Sequence, residues 1–235
     1  MSSSVPSVRP IGEVLISARP FADGVAQFAL RPDELTTGPV LDCPGGAGDF
    51  GATVRDLGGR AVSVDPCYVD SPEELATRVG AELDRVQAWT SSQPSRFPLD
   101  ARGVWEQVPV WRSTAARFLD DYAADRGNAT GHYVGAALPH LPFPDGTFTL
   151  ALSGFLLFTY PDHFDEDFHL RAITELLRVA AEVRLHPLND SAGNRYPHLD
   201  RLLDDLRARG VTCRLLEVTG RSDPRDDATL RLTRS

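Results

Sequence analysis

Residues 40–51, VLDCPGGAGDFG, join an apolar run that ends in an acid to a glycine-rich turn. The second half of this stretch, residues 46–51, matches the G-x-G-x-x-G pattern of dinucleotide-binding turns. A chain that leaves a parallel strand and enters a helix presents backbone N–H groups at the positive end of the helix dipole. The stretch therefore predicts a strand, a cofactor-binding turn and a helix, and it leaves the cofactor open.

Two carboxylates flank the glycines of this turn. Asp42 ends the apolar run, and Asp49 directly follows Gly48. Both carboxylates would repel a pyrophosphate, whereas they would attract a cofactor that carries a cation and an amine. The two acids therefore favour a cofactor with a cation and an amine over a dinucleotide.

The pattern around the turn predicts a βαβ unit. A helix over about residues 49–57 follows the first strand, and AVSVDP then forms a second strand that ends at Asp65. Such units imply a parallel sheet with right-handed crossovers. Before the turn, residues 11–30 contain apolar positions at helical spacing, which predict a short helix.

Residues 66–130 separate the second strand from the next strand candidate, GHYVGAAL (131–138), and are far more than one crossover helix needs. Ser71 can cap a helix with Pro72 in its first turn, and a second apolar stripe runs from Trp111 to Tyr122. All three tryptophans of the chain fall here. We expect a helical insertion over residues 70–128 that acts as a lid or acceptor subdomain.

The remaining sequence alternates strands and helices. Strands are predicted at residues 148–158 and 181–188, with helices over about 164–179 and 198–209. The polar linker RSDPRDD (221–227) joins the last two strands and permits an antiparallel hairpin. We predict one domain over residues 1–235. Its fold is a three-layer α/β/α Rossmann-like sandwich with a seven-stranded, mostly parallel sheet and an antiparallel C-terminal edge hairpin.

Three segments together, VLDCPGGAGDF, AVSVDP and LPHLPFPDGTFTLALSGFLLF, resemble the first, second and fourth motifs of class I S-adenosylmethionine-dependent methyltransferases. The resemblance implies transferase activity with S-adenosyl-L-methionine as the cofactor. It implies that Asp42 faces the methionine end of the cofactor and that Gly46 and Gly48 let the cofactor approach the backbone closely. It also implies that Asp65 accepts hydrogen bonds from both ribose hydroxyls. Pro66 and Cys67 would lie near the adenine.

The sequence departs from the family pattern at two places. Pro44, with Gly45 beside it, stands where the glycine series usually begins, and Ala136-Ala137 replaces an Asp that often meets the adenine amine. Backbone groups or another side chain, such as His140, would then recognise the base. The cofactor-binding residues expected from the resemblance are Asp42, Pro44, Gly45, Gly46, Gly48, Asp65, Pro66, Ala136 and Ser153.

Catalytic candidates follow the fourth and fifth strands, because ligands of open α/β sheets bind beyond the carboxyl ends of strands. Tyr160 and His163 can line an acceptor pocket, with His163 as a general base. Alternatively, Asp162 caps the next helix and His163 is a solvated first-turn residue. His186 ends the fifth strand and is either a pocket residue or hydrogen-bonded structure.

Two further features have a functional and a structural interpretation. Arg19 and Trp111-Arg112 are candidates for closing over the cofactor or acceptor, although an aromatic stripe at helical spacing is more often core. The acids of HFDEDFH (163–169) invite a metal interpretation, but they complement the dipole of a first helical turn better. We therefore expect no metal site.

Composition excludes several classes of function. The formal charge is −9, and every one of the 24 cationic side chains is Arg, so Schiff-base and P-loop chemistry are excluded and nucleic acid is disfavoured as a partner. The three cysteines show no zinc or disulfide spacing. With no signal peptide and no membrane-spanning apolar run, we expect a cytoplasmic protein.

The leading hypothesis is a methyltransferase that acts on a small molecule, although a protein substrate remains open. The alternatives are an NAD(P)-dependent oxidoreductase, which shares the turn, and a non-catalytic binding protein on the same fold. No G-x-S-x-G elbow is present, which disfavours a hydrolase. The acceptor atom, the use of a general base and the oligomeric state are left open by the sequence.

Overall fold

A computed structural model describes residues 11–218 and 225–234. Within these ranges seven strands form one sheet with the order β3-β2-β1-β4-β5-β7-β6. The strands are β1 (Pro39–Asp42), β2 (Arg60–Val64), β3 (Tyr133–Val134), β4 (Phe148–Gly154), β5 (Ala180–His186), β6 (Val211–Glu217) and β7 (Ala228–Arg234). Strand β7 runs antiparallel to both β5 and β6, and the other pairs are parallel. The predicted mostly parallel sheet with an antiparallel edge hairpin is confirmed.

Helices cover both faces of the sheet. They are α1 (Phe21–Gln27), α2 (Glu34–Thr37), α3 (Phe50–Asp56), α4 (Pro72–Ser91), α5 (Val108–Asn128), α6 (Glu166–Val179) and α7 (Leu199–Ala208). Alternate residues of β1 face opposite layers, since Val40 packs in the cluster beneath α1 to α3 and Leu41 in the cluster beneath α6 and α7. The predicted three-layer α/β/α arrangement follows from this alternation.

Helix α4 begins as its sequence predicts. The Ser71 side chain accepts the N–H of Glu74, the Glu74 side chain accepts the N–H of Ser71, and Pro72 occupies the first turn. One face of the helix is buried, and its core residues are Leu75, Val79, Leu83 and Val86. This face forms a common apolar cluster with α5.

Helix α5 connects the inserted segment to the body of the fold. Arg117 binds Asp49 at 3.0 Å and Asp56 at 2.6 Å, which joins α5 to α3. The Tyr122 hydroxyl donates to the carbonyl oxygen of Tyr68, in the 3-10 helix Pro66–Val69 that follows β2. The insertion thus packs directly on the β2–β3 edge of the sheet and shares a core with it.

Two predicted strands differ in length from the observed ones, and one helix was not predicted. Strand β3 has two residues, Tyr133–Val134, instead of the predicted 131–138. Strand β4 ends at Gly154, because Phe155 adopts a φ of +53° and breaks the extended backbone. Helix α2 was not predicted, and residues 1–10 and the 221–224 part of the predicted linker lie outside the described residues.

The start of α6 corrects a further prediction. Asp165, and not Asp162, is the capping residue, since its extended backbone lets its carboxylate accept the N–H of Phe168 at 2.7 Å. Helix α6 therefore begins at Glu166, two residues after the predicted start.

Candidate functional site

The candidate site lies beyond the carboxyl ends of β1, β2 and β4, where the strand order reverses. Three adjoining spaces occur there, and Ser17 and Phe155 line all three. We call them the Asp65 cavity, the Asp42 cleft and the tryptophan chamber. Residues of segment 14–19 line each of these spaces.

Asp65 follows β2 and is fixed by two backbone hydrogen bonds. Its Oδ1 accepts the N–H of Cys67 at 3.0 Å, and its Oδ2 accepts the N–H of Gly46 at 3.1 Å. The residue is buried. Each carboxylate oxygen keeps a further lone pair, so the same group can accept hydrogen bonds from a ligand hydroxyl.

The Asp65 cavity has a volume of about 330 Å3, within the size range of small-molecule sites. Its walls are largely apolar, and stacked rings of Phe164 and Phe168 lie 4.4 Å apart on one side. Five of the predicted cofactor residues line this cavity: Pro44, Gly46, Asp65, Pro66 and Ala136. The aromatic pair was missed, because its i,i+4 spacing is equally typical of a buried helical face.

The backbone N–H groups of the glycine turn already have acceptors within the chain. Gly45 donates to Val64 O at 2.9 Å, Ala47 to Ser17 O at 2.8 Å, and Gly48 to Gly45 O at 3.4 Å. Gly46 donates to Asp65. The turn from residue 45 to 48 therefore offers no free amide cradle to a pyrophosphate.

Two of these glycines are required by the chain itself. Gly46 has a φ of +55°, and a Cβ there would lie 2.6 Å from Ser17 O. A Cβ on Gly48 would lie 2.9 Å from Arg19 O. The close approach at Gly46 and Gly48 that was expected for a cofactor is therefore, in this structure, an approach by residues 17–19.

Asp42 lines the Asp42 cleft together with Arg19, Gly45 and Gly48. Burial, reinforced by the nearby charge of Asp65, raises the pKa of Asp42 from 3.8 to about 7, although a hydrogen bond with Ser63 opposes the shift. A positively charged ligand group in the cleft would favour the ionised carboxylate. The predicted residues Asp42, Gly45 and Gly48 are thus brought together here.

Asp49 does not face the candidate site. One of its oxygens accepts the N–H of Phe21 at 2.7 Å, and the other pairs with Arg117 at 3.0 Å. Its charge is compensated by the arginine. The expectation that Asp49 repels a pyrophosphate was wrong, because its carboxylate joins α1, α3 and α5.

Two other predicted binding residues lie away from these spaces. Ser153 is buried within β4, and its Oγ has no hydrogen-bond partner in the part of the chain that the structure describes. His140 is exposed and does not line the Asp65 cavity. Its suggested contact with adenine is therefore not supported by its position.

Tyr160 is the catalytic candidate that reaches a cavity. It is buried and lines the tryptophan chamber, where its hydroxyl accepts the N–H of Leu15 at 3.1 Å. Burial raises the pKa of this hydroxyl. Tyr160 therefore stays protonated at neutral pH and serves as a hydrogen-bonding group.

The two histidine candidates, unlike Tyr160, do not reach any of the three spaces. His163 is exposed, and its Nε2 lies 3.2 Å from Gly12 O. His186 is buried beside Phe28 and Phe155, with its Nδ1 3.2 Å from Ala228 O. Burial lowers the pKa of His186 to about 3, so its ring is neutral. Neither histidine lines the Asp65 cavity, the Asp42 cleft or the tryptophan chamber.

Arg19 and Trp111 both line the tryptophan chamber. Arg112 points elsewhere, since it binds Asp84 at 2.8 Å on the surface between α4 and α5. Of the expected closing residues, the structure brings Arg19 and Trp111 together and leaves Arg112 outside.

Residues 11–218 and 225–234 contain no candidate metal site and no candidate membrane span. No group of three or more His, Cys, Asp or Glu side chains in these ranges is arranged to hold a metal ion. None of the helices there is long and apolar enough to span a bilayer.

The chain has similarities to known proteins in sequence and in structure. No family model matches the chain. An uncharacterized protein of Methanocaldococcus jannaschii is 27% identical over 202 residues, which cover 84% of this chain and 88% of that protein.

Two solved structures are similar at low identity. Magnesium protoporphyrin IX methyltransferase from Synechocystis PCC 6803 is 13% identical with a TM-score of 0.46, and the match covers 91% of this chain and 77% of that one. A SAM-dependent methyltransferase from Aquifex aeolicus is 14% identical with a TM-score of 0.42, covering 89% and 90%.

Proposed function

We propose that this protein is an S-adenosylmethionine-dependent methyltransferase that acts on a small molecule. One observation carries the proposal. A fixed carboxylate, Asp65, stands at an apolar-walled cavity, and a second carboxylate, Asp42, stands in the adjoining cleft. A nucleoside at the first and an amine or sulfonium near the second would satisfy both.

The residues present fit this cofactor. Asp65 has free lone pairs for ribose hydroxyls, and Phe164 and Phe168 provide an apolar wall for a purine. Burial raises the pKa of Asp42 to about 7, and an approaching cation would favour its ionised form. When bound, S-adenosylmethionine supplies a methyl group on a positively charged sulfur.

The protein's own residues would then orient the acceptor toward the cofactor and exclude water from the site. Ser17 and Phe155 line all three spaces, so a group in the tryptophan chamber can approach the junction with the cofactor site. Orientation of two reactants alone can supply a large part of a rate enhancement. The protonated Tyr160 can orient an acceptor, and we assign no general base.

The geometry of the glycine turn supports the oxidoreductase alternative less well. A dinucleotide needs free N–H groups for its pyrophosphate, and those of residues 45–48 are taken. Asp42 also stands close to where negative phosphates would lie. The non-catalytic alternative accounts for Asp65 and Asp42 equally well, but it gives no reason for a chamber that joins the cleft.

Calorimetric titration with S-adenosylhomocysteine and, separately, with NADH tests the proposal. We expect saturable heat with S-adenosylhomocysteine, and no binding of it by Asp65→Ala. Asp162→Ala is the matched control, because Asp162 is exposed and does not line the three spaces. Tight NADH binding without a response to S-adenosylhomocysteine would overturn the proposal.

A further inference from the structure

The tryptophan chamber is walled by a continuous row of aromatic rings. Ring centroids are 4.9 Å apart for Trp89 and Phe97, 5.2 Å for Phe97 and Trp105, and 5.6 Å for Trp105 and Trp111. All four side chains line the chamber. Aromatic walls of this kind favour a planar apolar ligand through stacked and edge-to-face contacts.

Arg19, which is half-buried, brings a positive charge to this chamber. Its guanidinium carbon lies 3.2 Å from the ring centroid of Phe155 and 4.9 Å from that of Trp111. Its Nε is buried and has no hydrogen-bond partner among the described residues. A buried N–H without a hydrogen-bond partner is costly unless a ligand supplies an acceptor.

Two acids, Asp190 and Asp226, also line the chamber. Burial lowers the pKa of Arg19 to about 10, and the charges of Asp23 and Asp226 only partly oppose this shift. These acids act on Arg19 through their charge, while its Nε has no hydrogen-bond partner in the described part of the chain. The guanidinium therefore keeps its hydrogen-bonding capacity for a group that enters the chamber.

A second orphaned polar atom lies in the same chamber. The Oγ1 of Thr159 is buried, has no partner in the described part of the chain, and belongs to a chamber-lining residue. Buried polar atoms of folded proteins are nearly always hydrogen-bonded. Two such atoms beside aromatic walls indicate a ligand that is apolar at one end and polar at the other.

We propose that the methyl acceptor is a planar aromatic carboxylate, with its ring among the tryptophans and its carboxylate on Arg19. The identity of this ligand as the acceptor rests on the proposed methyltransferase function. The carboxylate of the cofactor is the other possible source of the anion. The acceptor is favoured, because the guanidinium also contacts Trp111, which lines the chamber and neither of the other two spaces.

Binding requires the chamber to widen. Its volume is about 90 Å3, and an engineered protein cavity of about 150 Å3 is known to admit benzene. Ile11 and Leu15 on one side, and Phe97 and Trp105 on another, line the chamber from loop segments. Movement of these segments changes the surroundings of all three tryptophans of the chain, so tryptophan fluorescence reports occupancy.

Fluorescence titration of the full chain with benzoate and with its neutral analogue benzamide tests the proposal. We expect benzoate to bind at least about tenfold more tightly than benzamide, since a charge-assisted hydrogen bond is worth that much. Arg19→Gln should lose this preference, and Arg19→Lys should keep part of it. Arg112→Gln is the matched control, because Arg112 follows Trp111 in the sequence but does not line the chamber.

The remaining outcomes separate the possible failures. Equal binding of benzoate and benzamide, or no response to benzoate at millimolar concentrations, overturns the inference. Loss of S-adenosylhomocysteine affinity in Arg19→Gln, with unchanged near-ultraviolet circular dichroism, assigns the anion to the cofactor and also overturns it. Arg19-dependent benzoate binding by a protein that does not bind S-adenosylhomocysteine supports the chamber and contradicts the methyltransferase proposal.

Discussion

Asp65 accepts the backbone N–H of Gly46 at 3.1 Å and so connects the end of β2 to the turn that follows β1. Its other oxygen accepts the N–H of Cys67, which begins the path toward the insertion. One carboxylate thereby holds together the two strand ends that border the site. Its structural role and its proposed role in ligand binding are separable by measurement.

Replacing Asp65 with Asn is expected to destabilise the protein by about 1–3 kcal/mol, since hydrogen bonds to a charged group are lost. The new amide NH2 must also face a backbone N–H, either of Gly46 or of Cys67. Urea unfolding of Asp65→Asn and of the exposed control Asp162→Asn measures the effect. Equal midpoints for the two variants would contradict the structural role of Asp65.

Replacing Asp42 with Asn should change how stability depends on pH. The pKa of Asp42 is raised from 3.8 to about 7 on folding, so the folded state holds this proton more tightly. The stability that it contributes is full below pH 3.8 and is lost as the pH rises to about 7. Asp42→Asn, which cannot ionise, should exceed the parent in stability at pH 8, and this advantage should shrink toward pH 4.

Thermal unfolding of both proteins from pH 4 to 8 follows this difference. A constant difference across the range would show that Asp42 has an ordinary pKa in the folded protein. The same result would remove the proposed sensitivity of this carboxylate to a cationic ligand.

Replacing Tyr68 with Phe removes one hydroxyl from the core beneath the glycine turn. That hydroxyl donates to Gly46 O at 2.7 Å, and Tyr68 is buried. The variant should lose about 1–3 kcal/mol of unfolding free energy, because a buried carbonyl is left without its donor. Chemical denaturation checks the loss, and an unchanged value would mean that the turn does not depend on this bond.

Replacing Gly46 with Ala should destabilise the protein by at least about 1 kcal/mol, since left-handed backbone is unfavourable for alanine. The added Cβ would also lie 2.6 Å from Ser17 O. Gly80→Ala in α4 is the control, because a Cβ there meets open space and alanine favours helix by roughly 1 kcal/mol. The two substitutions should shift the melting temperature in opposite directions.

The fold was predictable because local patterns and the sheet agree. The strand ending at Asp42, the glycine turn and the strand ending before Asp65 have the spacings of a βαβ unit, and β1 and β2 do pair in parallel. Ser71 and Glu74 mark the start of α4 by a capping box that can be read from the sequence. Boundaries such as the end of β4 at Gly154 depend on a backbone conformation that the apolar run does not encode.

The site was predictable only in part. Asp42 ends β1 and Asp65 follows β2, and they line neighbouring spaces, as expected for residues at the carboxyl ends of parallel strands, while their roles toward a cofactor stay predictions. The closure of the turn by residues 17–19, the pairing of Asp49 with Arg117, and the enclosure of His186 are long-range contacts. Such contacts arise from tertiary packing, and no local spacing predicts them.

A crystal structure of the complex with S-adenosylhomocysteine tests the central claim most directly. We predict that a ribose hydroxyl lies within about 3.2 Å of an Asp65 carboxylate oxygen, as a hydrogen bond requires. The adenine should lie against Phe164 and the amine end in the cleft of Asp42. A ligand bound elsewhere, or bound without contact to Asp65, would contradict the account.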